Sequence, residues 1–335
     1  MKNGSFVLCC VVFLACSSCK KSVNFEGPAL SEILGPFELI SPLDVSQDTA
    51  DLQNQPIHFK AQFSRKAQWS LEITSTKSTS SFVLSGFSKE LNTSNAQWRG
   101  GAQTLPSFQK GDAKAVLRVN GIESTWEIPF FISSPKKMDE GFLITGFESN
   151  PGFEIDYSVD GDTIQFLSSP LTAPFGNTYL WMNGRDKNRD TYIGNLSIPA
   201  RAVSNNQFSV FQTNMSNPAQ TYFNLLIYGY GINSTRISLQ FSEDDNLDGT
   251  FNGNNEDLYE RVIDVNWTGW RLISFKYDEI VNLSYSGAPG TNGNKVKEPH
   301  KIFRIGIVHL SNPAGNRSSL AIDHLIFTSN RPFEP

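Results

Sequence analysis

YFNLLIYGYGINSTRISLQFSEDDNLDGTFNGNNEDLYERVIDVNWTGWRLISFKY, residues 222–277, is the segment around which the rest of the chain is organised. Apolar and polar residues alternate in its first part, an acidic loop rich in Asn and Gly follows, and a last alternating segment begins at Trp267 and Trp270. Alternation with a period of two is the pattern of a β-strand with one buried face. The stretch therefore predicts β-strands at the centre of a β-sandwich.

The first two strands of this stretch each separate an apolar face from a polar face. The apolar residues are Phe223, Leu225 and Ile227 on the first strand and Ile237, Leu239 and Phe241 on the second. We expect the two strands to pair through the turn at residues 231–234. One face of this hairpin would then be core, and the other would display aromatic and polar side chains together.

The polar face has the residue types that a sugar site needs. An aromatic ring can cover the apolar C–H face of a pyranose, and amide or guanidinium groups can form hydrogen bonds with its hydroxyls. Residues 179–183 repeat the pattern on an earlier strand, with Leu180 and Met182 facing inward. The predicted ligand-binding residues are Trp181, Asn183, Asn224, Tyr228, Tyr230, Arg236 and Gln240. The alternatives are a solvent-facing sheet whose aromatics pair across strands and a face covered by loops.

The acidic loop contains the first half of a calcium-binding motif. Residues 244–249 read Asp-Asp-Asn-Leu-Asp-Gly, which matches D-x-N-x-D-G and predicts Asp244, Asn246 and Asp248 as metal ligands. The twelfth position is Asn255, where a bidentate Glu is expected, and Glu256 arrives one residue late. An acidic, solvated hairpin loop without metal is the alternative.

The chain lacks the common sequence signals of catalysis. The four histidines, His58, His300, His309 and His324, show no zinc-ligand spacing, and neither a G-x-S-x-G elbow nor a Walker loop is present. Trp267 and Trp270 begin an alternating strand, so we expect them to fill the core or to seal its edge, and binding platforms are the alternative. We therefore predict that the protein is not an enzyme, although carboxylate pairs cannot be placed from sequence.

The first 19 residues have the features of an export signal. Lys2 precedes a short apolar segment, residues 6–15, which is too brief to span a bilayer. The sequence Phe13-Leu14-Ala15-Cys16 resembles a bacterial lipobox, which implies a diacylated Cys16 at the mature N-terminus. Cys19 is the competing lipidation site, and a plain secretory signal or an uncleaved anchor are the alternatives. After Cys19 the chain contains no cysteine, so its stability must come from apolar cores.

Breaks in the pattern predict the domain organisation. Residues 20–36 show no periodicity and read as a tether. Residues 37–134 read as about seven short strands and look like the immunoglobulin-like domains of bacterial surface proteins. A boundary at Ser133-Ser134-Pro135-Lys136-Lys137 separates them from a second β-rich segment at residues 141–335. The predicted class is all-β, with two successive β-sandwiches.

Three motifs in the second segment carry a resemblance. Leu143-Ile144-Thr145-Gly146-Phe147-Glu148 opens it, residues 267–272 (WTGWRL) come late, and residues 321–328 (AIDHLIFT) close it. In this order they resemble the galactose-binding-like jelly rolls that include many carbohydrate-binding modules. The resemblance implies a structural calcium site at Glu148 and Asp323, for which solvated or capping carboxylates are the alternative. The chain departs from the family pattern at His324, where Asn is usual.

Charge and resemblance together define the expected function. The net charge is −5 and the basic residues are scattered, which argues against a nucleic-acid partner. The chain is similar to the surface glycan-binding lipoproteins of Bacteroidota. We therefore expect a non-catalytic, membrane-anchored outer-membrane lipoprotein that captures polysaccharide, on the surface or periplasmic side, beside other uptake components. An adhesion protein with a protein partner and a glycan-active enzyme are the alternatives.

Overall fold

The computed structural model of the protein describes residues 35–77, 79–157, 163–252, 255–283 and 293–335. The predicted signal peptide, the lipidation cysteines Cys16 and Cys19, and nearly all of the tether lie outside these residues. Within the described ranges, no helix has the length and apolar character needed to cross a membrane.

The described chain is almost entirely strand and turn. Its first seven strands are β1 (Leu39–Val45), β2 (Thr49–Asp51), β3 (Ile57–Ser75), β4 (Ser81–Leu91), β5 (Gln97–Trp98), β6 (Gly111–Val119) and β7 (Thr125–Ser134). The next six are β8 (Phe142–Thr145), β9 (Glu154–Tyr157), β10 (Thr163–Leu167), β11 (Tyr179–Arg185), β12 (Tyr192–Pro199) and β13 (Thr221–Tyr230). The last six are β14 (Thr235–Glu243), β15 (Leu258–Asp264), β16 (Thr268–Lys276), β17 (Val281–Asn282), β18 (Ile302–Ser311) and β19 (Arg317–Ser329). Short helical turns occur at Ala200–Val203, Tyr277–Glu279 and Pro299–Lys301.

Strands β1 to β7 form the first sheet, sheet 1, in the order β1-β3-β6-β7-β2, with β4 and β5 also pairing with β3. The 19-residue β3 is long enough to pair with four strands in turn. Its inward positions Trp69, Leu71 and Ile73 are buried, as the alternation predicts. These seven strands enclose a core of their own, which includes Trp98 and Phe59. The immunoglobulin-like topology and the domain boundaries stay predictions.

The remaining strands form two further sheets that pack face to face. Sheet 2 has the order β10-β11-β19-β13-β16, with β8 also pairing with β19, and sheet 3 has the order β17-β15-β14-β18-β12-β9. Every strand pairing in these two sheets is antiparallel. The predicted all-β class and the two-sheet sandwich of the C-terminal segment are confirmed.

The predicted pairing of β13 with β14 in a hairpin is wrong. Strand β13 pairs with β16 and β19 in sheet 2, and β14 pairs with β15 and β18 in sheet 3. The apolar faces of the two strands do point into the core, where the rings of Phe223 and Phe241 lie 5.0 Å apart across the sandwich. Alternation specifies which face of a strand is buried, but it does not specify which strand lies beside it. The short connection therefore crosses from one sheet to the other.

The core of this sandwich explains its stability. Leu180, Met182 and the inward residues of β13 and β14 are fully buried, as predicted. Trp267 is 9% exposed and belongs to the same core, which agrees with its predicted structural role. Burying side chains of this size contributes about 1.5–3 kcal/mol each before the entropy cost of ordering them.

A buried histidine on β18 makes this sandwich sensitive to acid. His309 is inaccessible to solvent, its Nε2 lies 2.7 Å from Ser318 Oγ, and its Nδ1 has no hydrogen-bond partner. Burial lowers the pKa of His309 to about 3. The unfolded chain takes up a proton on this ring below pH ~6.5, whereas the folded chain does not. Stability therefore falls as the pH drops from ~6.5 towards 3.

We expect His309 to cost about 2 kcal/mol of folding free energy at pH 5 relative to pH 8. The His309→Gln variant removes the titrating group and keeps a side chain that can bond Ser318. Urea unfolding at a series of pH values should therefore show a smaller fall in the free energy of unfolding with decreasing pH for the variant than for the wild type. Equal pH slopes for the two proteins between pH 6.5 and 4 would contradict this assignment.

Candidate functional site

The outer face of sheet 3 carries a row of residues in register across four strands, and three of these residues have polar side chains. On β12, Leu196 and Ile198 point into the core, so Asn195 and Ser197 lie on the opposite face. Ser197 pairs with Gly306 on β18 and with Glu154 on β9, and Gly306 pairs with Gln240 on β14. Strands that are distant in sequence thus bring an amide, a hydroxyl and a carboxylate together.

A groove of about 210 Å³ lies on this face, and we call it the sheet-3 groove. It is lined by Glu154, Ile155, Asp156, Asn195, Ser197, Gln240, Ser242, Leu258, Arg304 and Gly306. Gly306 keeps the groove open because it has no side chain. A Cβ atom there would lie 3.4 Å from Gln240 Cβ and 3.6 Å from Asn195 Oδ1.

Two polar atoms of the groove are buried without a hydrogen-bond partner. They are Asn195 Oδ1 and Ser197 Oγ, and Ser197 is only 5% exposed. A buried polar atom that lacks a partner costs about 1–3 kcal/mol, so such atoms are rare in folded proteins. A ligand hydroxyl can donate to Asn195 Oδ1, and it can donate to or accept from Ser197 Oγ.

The ends of the sheet-3 groove are held by contacts with neighbouring side chains. The Tyr192 hydroxyl donates a hydrogen bond of 2.8 Å to Asp156 Oδ2. The Arg304 guanidinium lies over the ring of Phe251, 5.6 Å from its centroid. A groove that combines amide, hydroxyl, carboxylate and guanidinium groups can bond a ligand rich in hydroxyls, because hydroxyls both donate and accept.

The outer face of sheet 2 carries an aromatic cluster: Tyr179, Trp181, Tyr228, Tyr230 and Trp270. The Tyr228 ring lies 4.9 Å from Tyr230 and 5.4 Å from Trp270, both in edge-to-face geometry. Trp270 Nε1 donates to the Thr172 carbonyl at 3.1 Å, and Tyr179 is fully buried. These aromatics therefore pack on each other and on the loop before β11, which matches the alternative of cross-strand pairing.

The predicted ligand-binding residues do not share one face. Trp181, Asn183, Tyr228 and Tyr230 lie on sheet 2, Asn224 is buried, and Arg236 and Gln240 lie on sheet 3. Of these seven, Gln240 lines the sheet-3 groove. The expected common face is wrong because β13 and β14 belong to different sheets. Arg236 instead forms a two-point ion pair with Asp264, with atoms 2.6 and 3.1 Å apart, and Asn183 Oδ1 accepts from Arg317.

The predicted metal loop brings its carboxylates together. Asp244, Asp248 and Glu256, which we call the acidic cluster, each place a carboxylate oxygen within 4.8 Å of the others. Gly249 N donates to Asp244 Oδ2 at 2.8 Å, and Gly249 adopts φ +81°, a conformation that favours glycine. Asn246 lies beside Asp248, with its Nδ2 3.0 Å from Asp248 Oδ2. The described acidic groups can thus hold a metal.

Glu256 is a member of this cluster that sequence reasoning left out. Its side chain is fully buried, its Oε2 accepts from Asn252 N at 2.5 Å, and its Oε1 has no hydrogen-bond partner. Burial raises the pKa of Glu256 to about 7, and the charges of Asp244 and Asp248 add to this effect. The signal was present as a Glu one residue beyond the expected position.

A second group of acidic residues lies beside the acidic cluster, and the ammonium group of Lys301 already supplies a positive charge there. Glu243, Asp245 and Glu298 approach each other within the same 4.8 Å limit. Lys301 Nζ lies 2.9 Å from Glu298 Oε1. Glu243 Oε1 accepts from the Tyr277 hydroxyl and from Glu298 N, both at 2.8 Å, while burial raises the pKa of Glu243 to about 8.

Glu148 and Asp323, for which the family resemblance implies a calcium site, both contact the loop at residues 175–178. Glu148 Oε1 accepts from Asn177 N and Thr178 N at 2.9 and 3.1 Å, and Asp323 Oδ2 accepts from Phe175 N at 3.1 Å. Asp323 Oδ1 is buried without a partner, and burial raises the pKa of Asp323 well above its usual value.

His324 follows Asp323 at a bulge in β19, with φ +53°. Asn and His tolerate this left-handed conformation better than most residues, which is a physical reason for Asn to be usual there. The His324 ring packs 4.5 Å from Phe175.

Comparisons with known proteins return low similarity to carbohydrate-binding structures. No family model matches the chain, and no curated protein matches it. The family 11 carbohydrate-binding module from Clostridium thermocellum, in complex with a β-1,3-1,4-mixed-linked tetrasaccharide, is 12% identical over 56% of this chain and 94% of that chain, with a TM-score of 0.37. SGBP-B from a complex xyloglucan utilization locus in Bacteroides uniformis is 11% identical over 86% of this chain and 73% of that chain, with a TM-score of 0.35. Because these values are low, the fold rests on the strands and cores described above.

Proposed function

We propose that the protein is a non-catalytic glycan-binding lipoprotein of the bacterial envelope, with the sheet-3 groove as its sugar site. The observation that carries this proposal is the pair of buried, unpartnered polar atoms in the groove, Asn195 Oδ1 and Ser197 Oγ. A sugar ring offers hydroxyls at the spacing of neighbouring side chains and satisfies both atoms on binding. Gln240 and Arg304 supply further donors along the same groove.

A first test is the Gln240→Ala variant. Losing an amide that bonds a ligand hydroxyl costs about 1–1.5 kcal/mol, or roughly 5- to 12-fold in affinity. We expect this weakening in affinity electrophoresis, and in calorimetry with a polysaccharide identified on a glycan array. Gln68→Ala is a matched control, because Gln68 is an exposed glutamine on β3 of sheet 1.

The same assay distinguishes the sheet-3 groove from the aromatic cluster. Tyr228→Ala changes sheet 2 alone, so it should leave the affinity within twofold of wild type. If Tyr228→Ala abolishes binding while Gln240→Ala does not, the sugar site lies on sheet 2. If no polysaccharide binds and a stable protein complex is recovered from membranes, the protein-partner alternative replaces the proposal.

The groove also contains Glu154 and Asp156, so catalysis is tested directly. We expect that the protein releases no reducing ends from a polysaccharide panel. Release that is lost in Asp156→Asn would assign a glycan-active enzyme to this groove.

Membrane attachment is part of the proposal. Its support is the lipobox-like sequence that ends at Cys16, with Cys19 as the competing residue. A lipid at the mature N-terminus would hold the sandwich at the outer membrane, where polysaccharide and other uptake components meet. Mass spectrometry of the mature N-terminus tests it, since an unmodified N-terminus at either cysteine contradicts lipidation.

We further propose that calcium stabilises the loop that Glu148 and Asp323 both contact. The ion would be held by these two carboxylates and would compensate the buried charge of Asp323. Asp323→Asn should then remove one calcium equivalent in calorimetry.

A further inference from the structure

The acidic cluster concentrates negative charge without a basic partner. Among the ion pairs of the described residues, none involves Asp244, Asp248 or Glu256. Asp244 and Glu256 are both fully buried, whereas Asp248 is exposed. Carboxylates this close repel each other when all of them are ionised, and a cation between them removes this repulsion.

Glu256 Oε1 gives an independent indication of a ligand. The atom is buried, it has no hydrogen-bond partner, and its side chain belongs to the group that converges within 4.8 Å. Its neighbours in that group are carboxylate oxygens, which offer no proton when ionised. The neighbouring group also contains a buried carboxylate oxygen without a partner, Glu243 Oε2, but Lys301 already supplies a positive charge there through its pair with Glu298.

We propose that the acidic cluster binds one calcium ion, with Glu256 as the carboxylate that completes the D-x-N-x-D-G segment. Calcium prefers six to eight hard oxygen ligands at flexible geometry, and Asp244, Asp248 and Glu256 supply converging carboxylate oxygens from two segments of the β14–β15 connection, with Asn246 beside Asp248. Glu256 takes the role that a Glu at the twelfth position has in an EF-hand loop. The ion thereby links Asp244 and Asp248, near the start of this connection, to Glu256 near its end.

This ion also orders one end of the sheet-3 groove. The same connection carries Gly249, whose carbonyl accepts from Arg201 at 3.2 Å, and Phe251, whose ring lies under Arg304. Arg304 lines the groove. Calcium therefore positions the Phe251 and Arg304 pair before the glycan arrives, which reduces the ordering cost of binding. This coupling rests on the proposed function, whereas calcium binding itself does not.

The test is calcium calorimetry on the full mature chain, with Glu256→Gln and with Glu298→Gln as the matched control in the neighbouring acidic group. We expect Glu256→Gln to lose one calcium equivalent or to bind it at least tenfold more weakly. Glu298→Gln and Asp323→Asn should keep that equivalent. Glu256→Gln that binds as much calcium as wild type, with equal affinity, overturns the assignment.

Thermal unfolding separates a calcium ligand from a structural residue. Without calcium, Glu256→Gln should melt at or above the wild-type temperature, because the substitution removes a buried charge. With calcium, only the wild type should gain in melting temperature from this site. A large loss of stability in Glu256→Gln without calcium indicates a structural role and contradicts the proposal.

The coupling is tested with the same polysaccharide in calcium and in EDTA. We expect a three- to tenfold weaker affinity of the wild type in EDTA, and an affinity of Glu256→Gln that no longer responds to calcium. Equal wild-type affinities in both buffers refute the coupling alone. If no polysaccharide binds, the proposed function fails while calorimetry still decides the calcium site.

Discussion

Replacing Gly306 with valine should abolish glycan binding while the protein stays folded. A Cβ at this position would make ordinary contacts, 3.4 Å from Gln240 Cβ and 3.6 Å from Asn195 Oδ1. The two methyl groups of valine extend beyond Cβ into the sheet-3 groove, where a ligand would have to approach these two side chains. We expect at least a hundredfold loss of affinity in calorimetry, or about 2.7 kcal/mol.

The backbone should accept this change. Gly306 lies within β18, is not among the residues with positive φ, and a Cβ there would be in ordinary van der Waals contact with its neighbours. Valine is also favoured over glycine in strands, so the melting temperature should stay the same or rise. A valine variant that binds glycan with wild-type affinity would show that the ligand does not occupy this groove.

Two further variants test whether the loss of glycan affinity depends on the size of the side chain placed in the sheet-3 groove. Gly306→Ala adds a single carbon atom that fits the available space, so we expect a weaker loss of affinity than with valine. Gly146→Val is the matched control, because a Cβ at Gly146 would meet no atom within 4 Å. Binding by the control should equal that of the wild type.

The sequence predicted well which residues lie in the core. Phe223, Leu225 and Ile227 recur at every second position, and all three are buried between the sheets, although Leu226 on the opposite face is buried as well. The reason is that strand geometry places every second side chain on the same face, so the pattern is local. The identity of the neighbouring strand depends on the whole topology, and the hairpin expected between β13 and β14 therefore failed.

The residues of the sheet-3 groove could not be predicted for the same reason, because local sequence patterns do not specify which strands are neighbours. Asn195, Ser197 and Gly306 lie on strands β12 and β18, which are distant in sequence and adjacent in the sheet. Nothing in the local pattern of either strand indicates that Gly306 leaves space for a ligand. Gln240 was predicted because it lies on the polar face of an alternating strand, but the other six predicted ligand-binding residues do not line the groove.

The proposed metal ligands were predictable to the extent that they are close in sequence. Asp244, Asn246 and Asp248 follow from a six-residue motif, and the structure brings the carboxylates of Asp244 and Asp248 together. Glu256 closes the acidic cluster after a longer connection whose geometry no motif specifies. Glu148 and Asp323 came only from a family resemblance, because they lie at opposite ends of the C-terminal segment.

Replacing Asn224 with alanine should destabilise the C-terminal sandwich strongly. Its Nδ2 donates to the Ile326 carbonyl and to Thr328 Oγ1 at 3.1 and 3.0 Å. Its Oδ1 accepts from Ser274 Oγ and from Phe333 N at 2.7 and 3.0 Å. Asn224 therefore joins β13 to β16, to β19 and to the C-terminal residues, and its side chain is completely buried.

Alanine removes this amide and leaves buried groups on several segments without a partner, each of which costs about 1–3 kcal/mol when it cannot reach water. We expect a loss of about 3 kcal/mol in urea unfolding, since repacking and water entry relieve part of the total. Asn266→Ala is the matched control, because Asn266 is exposed just before β16 and should change stability by less than about 0.5 kcal/mol. If the two alanine variants unfold at the same urea concentration, the bonds of Asn224 do not hold these segments together.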